Sequence, residues 1–211
     1  MPARGTATNR GLAVDRALAS GRATASGRLN VDGSGGGAAD DMTFLDEVIV
    51  GGGGAATIAF SSISGSYRQL GIFWTLRGDT AAAVTALYMQ FNGDAAGNYD
   101  IQAIDLLSTT YAAGPNAATA NAQIGAFPAA SAPAGMFGSG TIWIPYYDTT
   151  TQNKMGLGHS GSVESTAASG QRIEVNFSSW RTTNAAITSI TLLPQAGNFV
   201  ENSRAALYGL T

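Results

Sequence analysis

From residue 43 onward the chain alternates between apolar and polar positions, and the alternation is repeatedly interrupted by turn residues. "QLGIFWTLR" (69–77) sets Leu70, Ile72, Trp74 and Leu76 on one side. "TALYMQF" (85–91) does the same with Leu87, Met89 and Phe91, and "GTIWIPYY" (140–147) with Ile142 and Ile144. "RIEVNFSSW" (172–180) reads as Ile173, Val175 and Phe177 inward against Arg172, Glu174 and Asn176 outward. "TFLDEVIV" (43–50) puts Phe44, Val48 and Val50 on one face together with Asp46. Further short runs lie at 55–60, 121–127, 187–194 and 204–210. A period of two marks half-buried strands. Gly, Asn, Ser and Pro clusters between them mark tight turns. The fold expected is all-β: an antiparallel, jelly-roll-like β-sandwich of eight or more strands. "YDIQAIDLLST" (99–109) reads equally as a short helix or as one more strand.

The first forty residues follow another rule. From Arg4 to Gly33 the chain counts in sixes: RGTATN, RGLAVD, RALASG, RATASG, RLNVDG, with Arg4, Arg10, Arg16, Arg22 and Arg28 opening each hexad. Six helical steps of about 100° scatter these arginines around a cylinder, whereas an extended chain aligns them. One flank is then basic, and the other carries mostly Gly, Ala, Asn and Asp. A bare flank admits another backbone, which suits an assembly arm laid along neighbouring chains. A disordered leader and a phosphate-neutralising arm are the competing readings. SGGGAADD (34–41) is a hinge, so the expected organisation is an arm at 1–40 and a sandwich at 41–211.

Composition narrows the chemistry. The 211 residues include no cysteine, which excludes disulfides and thiolate chemistry. No apolar run approaches the ~20 residues of a membrane helix, and no apolar signal-peptide core opens the chain. Only 12% of residues are charged and the net charge is −3. Residues 1–40 hold five Arg against three Asp, a net of +2. The remainder holds six basic and eleven acidic groups, a net of −5. The body is therefore no nucleic-acid binder by its overall field.

Several local patterns carry residue types suited to chemistry. His159-Ser160, in "GLGHSGSVES", lies one residue short of a nucleophile elbow, and no helix follows it. Asn92, Asp94, Asn98 and Asp100, in "FNGDAAGNYD", are either turn-formers or oxygen ligands for Ca²⁺, without EF-hand spacing. Asp46 and Glu47 alternate across a strand and cannot flank one bond. Arg77-Gly78-Asp79 follows a strand and reads as a turn. "GGGG" (51–54) lacks the lysine of a phosphate loop. No catalytic residue, metal or cofactor is expected. Trp143, Tyr146, Tyr147 and Trp180, at strand ends or on the less apolar side, are candidates for a subunit interface or a sugar-stacking platform.

"VIVGGGGAATIAFSSISGSYRQLGI", "LRGDTAAAVTALYMQFNGDAAGNYD", "FGSGTIWIPYY" and "AAITSITLLPQAGNFVENSRAALYGL" together resemble a β-sandwich family of structural proteins in tailed bacteriophages. The likeness spans roughly residues 44–211 and rests on strand-and-turn motifs. It implies head-decoration, minor tail or fibre-tip proteins. The expectation is a non-enzymatic protein of the virion exterior, made in the host cytoplasm. Its expected partners are its own copies, as a homotrimer, and the major capsid protein or another virion protein. The alternative is a tail-fibre or receptor-binding module for a host glycan.

Overall fold

The computed structural model describes residues 42–167, 170–181 and 185–211, and the arginines of the hexad arm lie outside these. Residues Asp40–Thr211 form one compact unit. Twelve strands make two antiparallel sheets, with no α-helix among the described residues. In chain order they are β1 (Met42–Ile49), β2 (Ile58–Phe60), β3 (Gln69–Leu76), β4 (Val84–Phe91), β5 (Tyr99–Leu107) and β6 (Thr110–Thr119). There follow β7 (Ala122–Pro128), β8 (Gly138–Pro145), β9 (Lys154–Val163), β10 (Gln171–Trp180), β11 (Ile190–Pro194) and β12 (Arg204–Leu210). The large sheet runs β1-β12-β3-β8-β9-β10-β5-β6; the small one runs β2-β11-β4-β7. This is a β-sandwich, as the alternation predicts, with unequal layers. Residues 99–109 resolve as strand: β5 turns back at Ser108 to pair with β6.

The core lies where the small sheet covers the large one. Leu70, Ile72, Trp74 and Leu76 of β3 meet Leu87, Met89 and Phe91 of β4, with Ile142 and Ile144 of β8 and Ile190 and Leu192 of β11. All are buried. Each contributes about 1.5–3 kcal/mol on leaving water. Between β4 and β5 the "NG" of FNGD makes the expected turn. Asn92 and Gly93 have φ of 52° and 70°, and the Asp94 amide donates to the Phe91 carbonyl at 2.9 Å. Paired positive φ values are what a type I′ turn requires, and Asn and Gly tolerate them.

Two strands depart from the expected sidedness. In β1 a bulge between Phe44 and Asp46 shifts the register. Phe44 therefore pairs with Tyr208 on the outer side and is exposed, while Val48 pairs with buried Ala205 on the inner side. One extra residue in a strand exchanges the faces beyond it.

The larger departure is β10, which is inverted. Glu174, Asn176, Ser178 and Trp180 point inward and are buried, whereas Ile173 and Phe177 are exposed. The reason is what β10 faces. Its inner side and that of β9 meet β7, the edge strand of the small sheet, rather than an apolar sheet face. An edge strand carries unpaired backbone groups. The Ala126 amide of β7 donates to Ser160 Oγ at 3.2 Å, and Ser178 Oγ donates to the Gln123 carbonyl at 2.8 Å. Hydroxyls on β9 and β10 thus bond two backbone groups of β7. Gly158 allows the approach, since a Cβ there would lie 2.0 Å from the Ile124 carbonyl oxygen.

Candidate interaction surface

Directly paired residues of an antiparallel sheet share a face. Following the pairings across the large sheet therefore maps its outer side. One row runs Phe44, Tyr208, Gly71, Trp143, Leu157, Phe177 from β1 to β10. The next passes through Phe73, Thr141, His159, Val175, Ile104 and Ala113, reaching β6. A third carries Ile49, Ile173, Leu106 and Tyr111. Met42 and Met155 belong to the same side.

Twelve large apolar side chains are exposed among the described residues, and ten of them stand on this one face; Met136 and Tyr146 are the other two. Ile173 is 60% exposed and Tyr111 64%. Scattered apolar residues are normal on a protein surface, but a contiguous patch across a whole sheet is not.

The two halves of the face differ. On β1, β12, β3 and β8 the aromatic rings lock together edge-on. Phe44–Tyr208, Tyr208–Phe73 and Phe73–Trp143 centroids lie 5.7, 5.5 and 5.9 Å apart. Gly71 leaves room for the Trp143 ring, which a Cβ would meet at 3.0 Å. On β9, β10, β5 and β6 the side chains are mainly aliphatic. A hollow of about 550 Å³ opens in the aromatic half, lined by Phe73, Thr75, Ser139, Thr141, Ala206 and Tyr208 with Glu47 and Arg204 at its side. Glu47, Arg204 and Asp100 are the carboxylates and guanidinium on the face.

The opposite side of the β10–β5 region is polar. Arg172 bonds Asp105 and Glu164, and lies 3.2 Å from Glu174. Burial pushes the Glu174 carboxyl above its ordinary pKa, with the Asp105 carboxylate acting the same way; Asn176 and Arg172 oppose them. This end of the sheet is thus charged where a sandwich is usually apolar, and apolar where it usually meets water.

The four aromatics named as candidates for a subunit interface or a sugar platform do not share one surface. Trp143 lies on the outer face, half-buried among its neighbours. Tyr146 is 60% exposed in the turn after β8, with φ of 49°. Tyr147 and Trp180 belong instead to the core. The Tyr147 hydroxyl donates to the Ser64 carbonyl and accepts from the Tyr67 amide. Trp180 packs on Phe91 and Tyr99, and its Nε1 donates to Asp94 Oδ2 at 2.6 Å. Their polar tips found partners within the fold, so their aromatic bodies became core. Sequence reasoning missed Phe44, Leu157, Ile173, Phe177 and Tyr208 as surface residues. Their alternation was legible, but it points equally well to either side of a sheet.

The remaining motifs are structural. Asp94 accepts from the Ala96 amide, Asn98 Nδ2 and Trp180 Nε1, while Asn92 Oδ1 accepts from the Thr188 and Ser189 amides. Asp100 pairs with Arg181 at 2.8 Å. These oxygens serve turns, and among the described residues no cluster of three His, Cys, Asp or Glu is arranged for a metal. Ser160 points inward and His159 outward from mid-strand β9, so the two cannot act on one bond. Arg77 donates to the carbonyls of Ala132, Pro133 and Met136, and Asp79 accepts from Asn198. The Arg-Gly-Asp triplet thus ties loops together. Asp46 and Glu47 lie on opposite faces of β1, as the alternation requires.

Compared with protein-family models, curated proteins and solved structures, the chain matches none.

Proposed function

We propose that this chain is a non-enzymatic structural protein of a tailed-bacteriophage virion, serving as a decoration or cement protein on the head. The hexad arm docks on the shell or along neighbouring subunits, and the sandwich is displayed outside. The observation that carries the reading is the apolar outer face of the large sheet. It is a surface made for assembly, since leaving it wet forfeits burial along every strand. The low charge of the chain and the one-sided arm support the same role, and so does the resemblance of residues 44–211 to phage structural proteins. Function is then mechanical: each bound copy adds contacts across joints of the particle and stabilises it by mass action.

The test is location and protection. The full-length chain is expected on phage heads in high copy number, with residues 1–40 cut by protease in solution and protected on the particle. A few copies confined to the tail, with glycan binding lost in Trp143→Ala, would transfer the protein to the receptor-binding class. Absence from the particle altogether would refute a virion role.

A further inference from the structure

We infer that the outer face of the eight-stranded sheet is where this chain associates with other copies of itself. The inference rests on the assembly reading above and names the partner of that surface. Size is the first argument. Eight strands spaced about 4.8 Å apart and four rows about 6.8 Å apart cover roughly 34 by 20 Å, or about 700 Å². A stable interface takes about 800 Å² from each partner, so the face alone nearly supplies a subunit's share.

Charge is the second. Residues 41–211 carry a net of −5, so copies meeting at random repel one another. The outer face carries Glu47 and Arg204, and Asp100 is paired with Arg181 at its margin, so its charges balance. Two copies can meet there without facing like charge against like. A strongly basic or acidic partner finds nothing on this face to recognise.

Shape is the third. A symmetric contact requires one surface to be complementary to itself. This face holds both a hollow, beside Phe73 and Thr141 on its aromatic half, and exposed apolar side chains, Ile173, Phe177 and Tyr111, on its aliphatic half. A symmetry-related copy can bring the aliphatic half of one subunit against the aromatic half of the next.

The experiment uses the full-length chain, followed by sedimentation velocity over a concentration series at moderate and high salt. An oligomer that persists in high salt is expected, because the contact is apolar. Ile173→Lys and Phe177→Lys each place a charge on the face without entering the core, and are expected to weaken association about tenfold or more. Met136→Lys, exposed but outside the sheet, is expected to leave it unchanged. The chain has no native cysteine, which permits a second readout. The thiol of Gln102→Cys, on this face, should become protected from a thiol reagent as concentration rises, and that of Ser131→Cys, in a surface loop, should not. A wild-type chain that stays monomeric, lysine variants that associate as tightly as wild type, or an unprotected Gln102→Cys thiol would each overturn the inference. Particle binding by a monomeric chain would leave the virion reading standing without this interface. Association through this face in a chain that never joins a particle would do the reverse.

Discussion

Replacing Asp94 by alanine takes one carboxylate out of the turn between β4 and β5, and the structure indicates how far the damage reaches. Its Oδ2 accepts from Trp180 Nε1 at 2.6 Å and from Asn98 Nδ2 at 2.9 Å, and its Oδ1 accepts from the Ala96 amide at 2.9 Å. Trp180 is only 3% exposed and packs against Phe91 and Tyr99, so its indole N–H loses its carboxylate partner at a largely buried position. An orphaned buried donor costs about 1–3 kcal/mol. The two bonds nearer the surface add about 1 kcal/mol together. The expected loss is therefore about 2–4 kcal/mol, or a fall in Tm of roughly 4–16 °C for a domain of this size. Urea unfolding followed by tryptophan fluorescence measures it. Trp180→Phe removes the donor itself, so Asp94→Ala should cost about 1–2 kcal/mol less in that background than in the wild type. Calcium or a chelator should leave the midpoint of the wild type unmoved, because the same oxygens are already engaged in the turn. A loss below about 0.5 kcal/mol, the range of an ordinary surface substitution, would refute the reasoning. So would additive costs in the double variant, or stabilisation by calcium.

Two further outcomes follow from the packing of β7 on β9 and β10. Gly158→Ala should destabilise by about 3 kcal/mol or more, since its Cβ would force β7 away from β9. Gly161→Ala, on the outer side of the same strand with nothing within 4 Å, should change stability by less than about 0.5 kcal/mol in the same urea assay. Glu174 supplies a pH signature. Its pKa is raised in the folded chain, so the fold retains a proton over a range where the unfolded chain has released it. Stability must then fall as pH climbs from the ordinary value of 4.5 toward the folded one. Each tenfold gain in proton affinity corresponds to about 1.4 kcal/mol. Glu174→Gln should flatten that part of the profile and hold stability at neutral pH, with Arg172 still bonded to Asp105 and Glu164. A profile as steep as the wild type's would show that another group titrates there.

The sandwich itself was legible along the chain because strand periodicity and turn chemistry are local. Alternation at 69–77 and 85–91 identified core positions residue by residue, and Asn92-Gly93 announced its turn through the φ values those residues tolerate. What alternation cannot say is which of two faces turns inward. β10 shows why: its apolar set is Ile173, Val175 and Phe177, yet its buried set is Glu174, Asn176, Ser178 and Trp180. That choice depends on what lies opposite, here the open backbone edge of β7, some fifty residues away in sequence and joined to β4 on its other side. The same holds for Tyr147 and Trp180, whose polar tips bond partners 83 and 86 residues distant. Most strand positions, the turn at Asn92-Gly93 and the low charge were thus properties of the sequence alone, whereas β6 and β9 carried no alternation that announced them and 99–109 became strand only by pairing with β6 and β10. The sidedness of β10, the bulge that turns Phe44 outward, and the gathering of ten exposed apolar side chains on one face were decided by tertiary structure. Burial is a relation between surfaces, and only the assembled sheets determine which surfaces meet.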